Sequence, residues 1–342
     1  MRSVALGDVL KVWLYAMASI LLGAWLAPIL YNMGKALAEV SSVKQINGPI
    51  EWIADHARSA DFPQFFVGSM GLAAVLLALP FAGWVRAERS GSSSNRPWQI
   101  RIPAASSGEL RGQPLAKNPH ALRHVFLGLC VGAGLFAVIC GLMLASKFFQ
   151  LSHPPGGHLR AVFGILLGAI VGGAVQEVVF RGVILGIFLR AMRPALAIGF
   201  SALLFALFHF LYPSGGLNVA DPDAAGVGFE LVGLLLSQFY DIKIVVGIFA
   251  PLLALGAVLA FARWRTASLW LPIGLHVGWI CVTTLSDHFT VSSVPLDVAM
   301  EFLFGNSLQQ GMCAFFGILV AGLVINFLTV RFPHVQESAI EV

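Results

Sequence analysis

Long apolar stretches alternate with short polar segments over the whole chain. We identify eight such stretches, each close to the ~20 residues with which a helix crosses a bilayer. They cover residues 12–31, 64–85, 125–146, 163–189, 195–212, 243–262, 267–286 and 310–330. The pattern predicts an all-α, polytopic membrane helix bundle with about eight transmembrane helices. The first stretch contains Pro28 and lacks a clear small-residue cleavage site, so we interpret it as a retained membrane helix.

Composition and charge support this interpretation and predict an orientation. The chain is 58% hydrophobic and 11% charged, whereas a soluble domain has roughly 25% charged residues. With the N-terminus inside, fourteen of the 21 Lys and Arg residues lie on the cytoplasmic side and six on the other side. This bias predicts that both termini are cytoplasmic. The net charge of +4 is then a topological signal, and the charge pattern does not indicate a nucleic-acid partner.

The polar segments divide the chain into three predicted regions. Residues 1–124 form an N-terminal two-span region with a basic cytoplasmic loop, residues 125–331 a membrane core, and residues 332–342 a C-terminal tail. Three shorter segments have their own predicted character. The loop at 86–124 is typical of a flexible basic linker. We expect a short interfacial helix within 32–63 and an interfacial or re-entrant segment at Phe229–Tyr240.

Glu177 and Arg181 stand four residues apart in the otherwise nearly uncharged stretch 161–189. At this spacing a carboxylate and a guanidinium share a helix face and can pair. Placing each in hydrocarbon costs at least ~2.5–3.5 kcal/mol on insertion scales, so ionisable residues at that depth are functional candidates by default.

Two histidines on other spans reach a similar depth. At about 1.5 Å per helical residue, Glu177, His209 and His276 lie ~20, ~21 and ~17 Å from the predicted cytoplasmic ends of their spans. A carboxylate and two imidazoles in one layer can activate water or hold a metal ion. Each group also has a structural interpretation, since an intramembrane His is often a helix–helix contact and a Glu/Arg pair can join two helices.

The same residues stand in three short motifs on separate spans. In chain order these read Gln176-Glu177-Val178-Val179-Phe180-Arg181, then Phe205-Ala206-Leu207-Phe208-His209, then Ser268-Leu269-Trp270 followed by His276 and Ile280. They resemble the Glu-Glu-x-x-x-Arg, Phe-x-x-x-His and His-x-x-x-Asn motifs of CPBP-type intramembrane proteases, the group that contains CAAX prenyl endopeptidases and bacteriocin-processing homologues. The resemblance covers about residues 160–285.

The resemblance implies hydrolysis of a peptide bond inside the membrane by a glutamate-and-histidine site, with no cofactor and no obligate metal. On this basis Glu177 is the base or water ligand, His209 is its partner, and His276 binds the oxyanion. Arg181 fixes Glu177 through the i,i+4 pair. The implied partners are the lipid bilayer and a membrane-associated peptide or protein substrate.

Three further residues are expected to line the substrate-binding site: Gln176, Phe205 and Ile280. Two of them depart from the family pattern. Gln176 stands where the family has its first Glu, and the loss of a general base typically costs ~10²–10⁴-fold. Ile280 stands in place of Asn, and the loss of an oxyanion donor costs ~10²–10³-fold. Glu177 can replace the missing base only if the helix or the water is shifted, because adjacent helix positions point about 100° apart.

Three alternatives remain open from the sequence. A catalytically impaired homologue would bind a membrane peptide or a partner without cleaving it, and the changes at Gln176 and Ile280 favour this. A metal-dependent protease would use Glu177, His209 and His276 as ligands. A transporter would use the same groups as a proton relay. The charge bias is typical of a multi-pass protein of the bacterial inner membrane, which is the location that we predict.

Overall fold

The apolar stretches form long helices in the computed structural model, which describes residues 2–44, 48–87, 100–103, 110–113, 120–152, 158–212, 219–224, 226–293, 302–305 and 307–330. The main helices are α1 (Arg2–Lys44), α2 (Pro49–Ser59), α3 (Phe62–Ala87), α4 (Ala121–Ala145), α5 (His158–Glu177), α6 (Leu185–Ala191), α7 (Pro194–Phe210), α8 (Val227–Ser237), α9 (Ile242–Ile244), α10 (Ala250–Thr266), α11 (Trp270–Phe289) and α12 (Gly311–Val330). Two π-helical segments, Val178–Ile184 and Val245–Phe249, join α5 to α6 and α9 to α10. The predicted helical bundle is confirmed.

Six helical segments in the described part of the chain are long and apolar enough to cross a membrane. They are Gly7–Lys44, Phe62–Val85, Ala121–Ala145, Ala161–Ala191, Ile242–Thr266 and Gly311–Thr329. The predicted spans 195–212 and 267–286 correspond to α7 and α11, which are outside this set. α7 has only 17 residues, and α11 has 20 but carries several polar side chains. The count of eight and the cytoplasmic position of both termini therefore stay predictions.

The predicted linker 86–124 contains a pair of short strands. β1 (Ile100–Pro103) runs antiparallel to β2 (Leu110–Gln113). The rest of this loop between α3 and residue 120 lies outside the described residues, and so does the predicted tail 332–342.

Contacts divide the structure into two compact units. The first consists of Met1–Ala5, Ser94–Leu207 and Ile242–Val342, and the second of Leu6–Ser93 and Phe208–Asp241. α7 passes from the first unit to the second after Leu207, so Phe205 belongs to the first and His209 to the second.

The second unit is built on α1 and α3, which run antiparallel. The Tyr15 hydroxyl on α1 donates to the Ala74 carbonyl on α3 at 2.7 Å, and Tyr31 packs edge-on against Phe62. The expected short helix of segment 32–63 is α2. Lys35 ties its C-terminal end to α1 by donating to the carbonyls of Arg58 and Ala60 at 3.0 and 2.7 Å.

The second short helix expected from the sequence, Phe229–Tyr240, is α8 with a 3₁₀ turn at Gln238–Tyr240. Its buried residues Val227, Leu231 and Leu235 recur every four positions and thus share one face. That face joins the core of the second unit, which also contains Phe66 and Met70 of α3.

In the first unit, α4 and α11 pack closely and run parallel. A Cβ added at Gly128 or Gly132 of α4 would overlap the backbone of Leu271 or Leu275 on α11, and one added at Gly274 would overlap the carbonyl oxygen of Val125. Small residues permit this approach, as is common between membrane helices. The ends of the two helices are also joined, because β3 (Phe149–Leu151) after α4 pairs antiparallel with β4 (Thr290–Ser292) after α11.

The directions of the other helix pairs in this unit agree with spans that alternate across a bilayer. α5 runs antiparallel to α11, since a Cβ at Gly173 would contact Val277 and Ile280 while Glu177 contacts His276. α10 runs parallel to α12, since a Cβ at Gly322 would meet Val258 and Arg265 Nε donates to Thr329 Oγ1 at 3.4 Å. The fourth and seventh predicted spans are thus antiparallel, as alternation requires.

Candidate active site

The helix that carries the first motif changes its form at that motif. α5 ends at Glu177, and the π segment that follows contains Arg181. A π segment takes an extra residue into the turn and occurs frequently at functional sites. It therefore sets which way Glu177 faces relative to the residues that follow it.

Glu177 and Arg181 form a fully buried ion pair. Both are 0% exposed, and Arg181 Nη1 donates to Glu177 Oε1 at 3.0 Å. His276 Nδ1 lies 2.8 Å from the same oxygen. The second carboxylate oxygen, Oε2, is buried and accepts no hydrogen bond within the described part of the chain. Glu177 is therefore held at one oxygen by two groups, and its other oxygen has no donor from the described residues.

Arg181 is held by two further helices besides its own. Its Nη2 donates to the carbonyl oxygen of Gly256 on α10 at 3.2 Å. Its guanidinium carbon lies 4.2 Å from the centre of the Phe205 ring on α7. A desolvated cation–π contact contributes about 2 kcal/mol. Gly256 permits the close packing of α10 and α7, since a Cβ there would lie 2.9 Å from Ala202 Cα.

The position of His276 follows from the packing of α4 against α11. His276 is buried and stands midway in sequence between Gly274 and Gly278, two glycines of α11 at which an added Cβ would overlap the backbone of α4. Its Nδ1 faces Glu177, and its ring meets that of Phe205 edge-on with centroids 5.8 Å apart. Because Nδ1 is engaged by the carboxylate, Nε2 is the ring nitrogen that can face a substrate.

Burial makes the charges in this site interdependent. Two ions taken out of water lose several kcal/mol of solvation each, and their mutual attraction and hydrogen bonds offset that loss. Removal of one partner of a buried pair typically costs about 3–5 kcal/mol, because the other charge is left uncompensated. Glu177 and Arg181 therefore depend on each other for their placement.

The three predicted lining residues lie around this pair in different ways. Ile280 lies one turn after His276 on α11, and Gly173 lies one turn before Glu177 on α5. The two residues face each other, since a Cβ added at Gly173 would lie 3.6 Å from Ile280 Cδ1. Gln176 is half-buried beside Glu177. The Phe205 ring is 0% exposed and lies between the Arg181 guanidinium and the His276 imidazole. Phe205 is thus in contact with both the Arg181 guanidinium and the His276 ring.

His209 lies in the last turn of α7 and is half-buried. It belongs to the second compact unit, so its predicted partnership with Glu177 stays a prediction. Within the described residues, no three His, Cys, Asp or Glu side chains form a group that could hold a metal ion.

Two contacts of Arg181 were absent from the sequence analysis. The Gly256 carbonyl gives no sequence signal, because any residue carries a carbonyl and the contact spans 75 positions. The Phe205 contact could have been predicted. The second motif places an aromatic ring one turn before His209, and an aromatic ring beside a buried cation is a favourable contact.

Comparison with protein families gives a match over this part of the chain. Residues 158–282 match the family model described as type II CAAX prenyl endopeptidase, Rce1-like. This segment is an Rce1-like domain. It begins with α5 and ends inside α11, so all three motifs lie within it. No curated protein and no solved structure matches the chain.

The Rce1-like domain confirms the predicted CPBP family resemblance. Together with the apolar helices it identifies the chain as an integral, multi-pass membrane protein. The domain covers about a third of the chain, and α1 to α4 lie outside it.

Proposed function

We propose that the Rce1-like domain is a glutamic-type intramembrane endopeptidase that hydrolyses a peptide bond of a membrane-associated protein or peptide. The observation that supports this most directly is the state of the Glu177 carboxylate. Arg181 and His276 hold its Oε1 at 3.0 and 2.8 Å, while Oε2 is buried and has no donor among the residues that the structure describes. A carboxylate fixed in this way has one oxygen positioned for proton transfer.

In the proposed first step, Glu177 Oε2 accepts a proton from a water molecule as the water oxygen attacks the carbonyl carbon of the substrate. General-base catalysis of this kind contributes about 10²–10⁴-fold. The C–O bond forms, and the carbonyl π electrons move to the oxygen to give a tetrahedral oxyanion. The proton on Glu177 then passes to the amide nitrogen as the C–N bond breaks. No cofactor enters this scheme.

The oxyanion needs donors in a water-excluded site, where each is worth roughly 10²–10³-fold. His276 with both ring nitrogens protonated donates from Nδ1 to Glu177 and from Nε2 to the oxyanion. The Gln176 amide is a second donor and partly replaces the Asn of the family pattern, whose place Ile280 takes. His209 is the proposed partner of Glu177 in holding the water.

The substrate class and location follow from the family and the charge pattern. The name of the family model indicates prenylated peptides as a first probe. The excess of Lys and Arg on one side of the predicted spans is consistent with the bacterial inner membrane.

The proposal is tested with the full-length protein reconstituted in liposomes. A prenylated CAAX peptide and an unmodified transmembrane peptide, each with a fluorophore and quencher across the cleavage region, serve as probes. We expect cleavage by the natural chain, loss of cleavage in His209→Ala, and at least tenfold faster cleavage in Gln176→Glu/Ile280→Asn, because that variant regains a base and an oxyanion donor. Activity in the double variant with none in the natural chain would instead show an impaired homologue that binds without cleaving.

Phe205 provides a separate prediction. Phe205→Leu keeps an apolar side chain but removes the ring that contacts Arg181 at 4.2 Å. If the contact contributes about 2 kcal/mol to the placement of Arg181, kcat falls roughly 30-fold with little change in KM. Phe205→Tyr keeps the ring and retains most of the activity. The control is Phe200→Leu on the same helix, where the ring is exposed. A rise in KM alone would instead indicate that Phe205 contacts the substrate.

A further inference from the structure

The first unit contains a second deeply buried arginine that takes no part in the Glu177 site. Arg263 is 5% exposed and lies in the last turn of α10. Its Nε and Nη1 are buried and donate to no group of the described residues. Arg181, by contrast, has a carboxylate, a carbonyl and an aromatic ring around it.

The described residues offer the Arg263 charge little compensation for its burial. A buried charge without a counter-ion costs several kcal/mol. A position in the last turn of a helix is favourable for a cation, but by only about 0.3–1 kcal/mol, and up to ~2 kcal/mol in the best partly buried geometries. The helix end therefore does not offset the cost of burying the Arg263 charge. An anion from outside the chain, bound to the guanidinium, would offset it.

The surroundings of Arg263 indicate which anion is available. α10 ends at Thr266, one turn beyond Arg263. The adjacent Trp264 is exposed, and so is Trp270 at the start of α11. Tryptophan side chains are enriched at the level of the lipid headgroups. At that level the abundant anion is a phosphate, and a guanidinium binds phosphate through two parallel hydrogen bonds.

We propose that Arg263 is the centre of a phosphate-binding site at the membrane surface. The ligand is the phosphate of an anionic phospholipid headgroup, or a free phosphate ion that presents the same chemistry. Nε and Nη1 are the donors without a partner among the described residues, and each shares one edge of the guanidinium with Nη2, along which a phosphate can bind through two hydrogen bonds. This site is separate from the proposed proteolytic step, so its test does not depend on cleavage.

The test uses the purified full-length protein in detergent, with thermal unfolding as the measurement. Phosphatidylglycerol is compared with a diacylglycerol of the same acyl chains, which lacks the phosphate, and sodium phosphate with sodium chloride at equal ionic strength. We expect stabilisation by phosphatidylglycerol and not by diacylglycerol. The concentration dependence gives an affinity that is at least about tenfold weaker in Arg263→Gln, since a charged hydrogen-bond donor pair is lost.

Arg263→Met separates the proposed site from a purely structural role. Without ligand, this variant should unfold at a higher temperature than the natural chain, because an apolar side chain of similar size replaces an uncompensated charge. It should also lose the stabilisation by phosphate. Arg193→Gln is the matched control, since Arg193 is an exposed arginine of the same unit and its removal should leave both quantities unchanged.

The outcomes are distinct. A response to sodium phosphate alone, lost in Arg263→Met, supports the site with the free ion as its ligand. A response to phosphatidylglycerol, lost in the same variant, supports the lipid. If neither ligand stabilises the natural chain, or if Arg263→Met responds to them as the natural chain does, the proposal is wrong.

Discussion

Replacement of Glu177 by Gln is expected to reduce cleavage of a membrane-anchored peptide by about 10²–10⁴-fold. The amide keeps the size of the side chain and can still accept a hydrogen bond from Arg181, which now lies 3.0 Å from Oε1. It cannot take a proton from water. The measurement is the initial rate in liposomes at equal amounts of folded protein, and retention of the full rate would remove Glu177 from the chemistry.

A control for folding is needed, because Glu177→Gln leaves the Arg181 cation fully buried without a counter-ion. That loss typically costs about 3–5 kcal/mol of stability. Glu177→Gln/Arg181→Met removes both charges and should recover much of the lost stability, since an apolar side chain of similar volume replaces the cation. The double variant should stay inactive. If the double variant regains stability but not activity, the loss of cleavage is due to the missing carboxylate and not to misfolding.

The second large effect concerns the packing that places His276. Gly128→Ala adds one methyl group to α4 where it would overlap the carbonyl oxygen of Leu271 on α11. The backbone cannot yield as a flexible side chain would, so the helices must separate. Overpacking of this kind costs about 1–3 kcal/mol, occasionally more. Because α11 carries His276, the separation should also lengthen its 2.8 Å contact with Glu177 and lower the cleavage rate.

Gly141→Ala is the matched control on the same helix. A Cβ there meets nothing within 4 Å. Ala is also the better helix former, by roughly 0.5–1 kcal/mol. We therefore expect equal or higher stability and an unchanged rate. Thermal unfolding in detergent compares the two variants. If Gly128→Ala were as stable and as active as Gly141→Ala, the close α4–α11 contact would not be the feature that positions His276.

The sequence was sufficient for the parts of this molecule that depend on local pattern. Apolar stretches of membrane-spanning length predicted the helices, because a segment buried in lipid must be continuously helical to satisfy its backbone hydrogen bonds. The four-residue spacing of Glu177 and Arg181 predicted their contact, because helix geometry determines which positions are neighbours. The depth estimate placed Glu177 and His276 in one layer, and the two side chains are in contact.

Other features depend on contacts between distant residues. The α4–α11 packing joins Gly128 to Leu271, and no local pattern specifies that partner. The same is true of the Gly256 carbonyl on Arg181. The residue types of the segment after Glu177 do not predict its π-helical form either, since its residues, apolar except for Arg181, also occur in α-helices. The role of His209 stays a prediction.

Complete enclosure of the Glu177 carboxylate has a kinetic consequence. A group that is 0% exposed meets neither a peptide nor bulk water in this arrangement of the helices. If Glu177 is the base as proposed, each catalytic cycle must include an opening motion, and such motions commonly take microseconds to milliseconds and set the turnover of many enzymes. Bilayer thickness and fluidity should therefore change kcat even when the reacting groups are untouched.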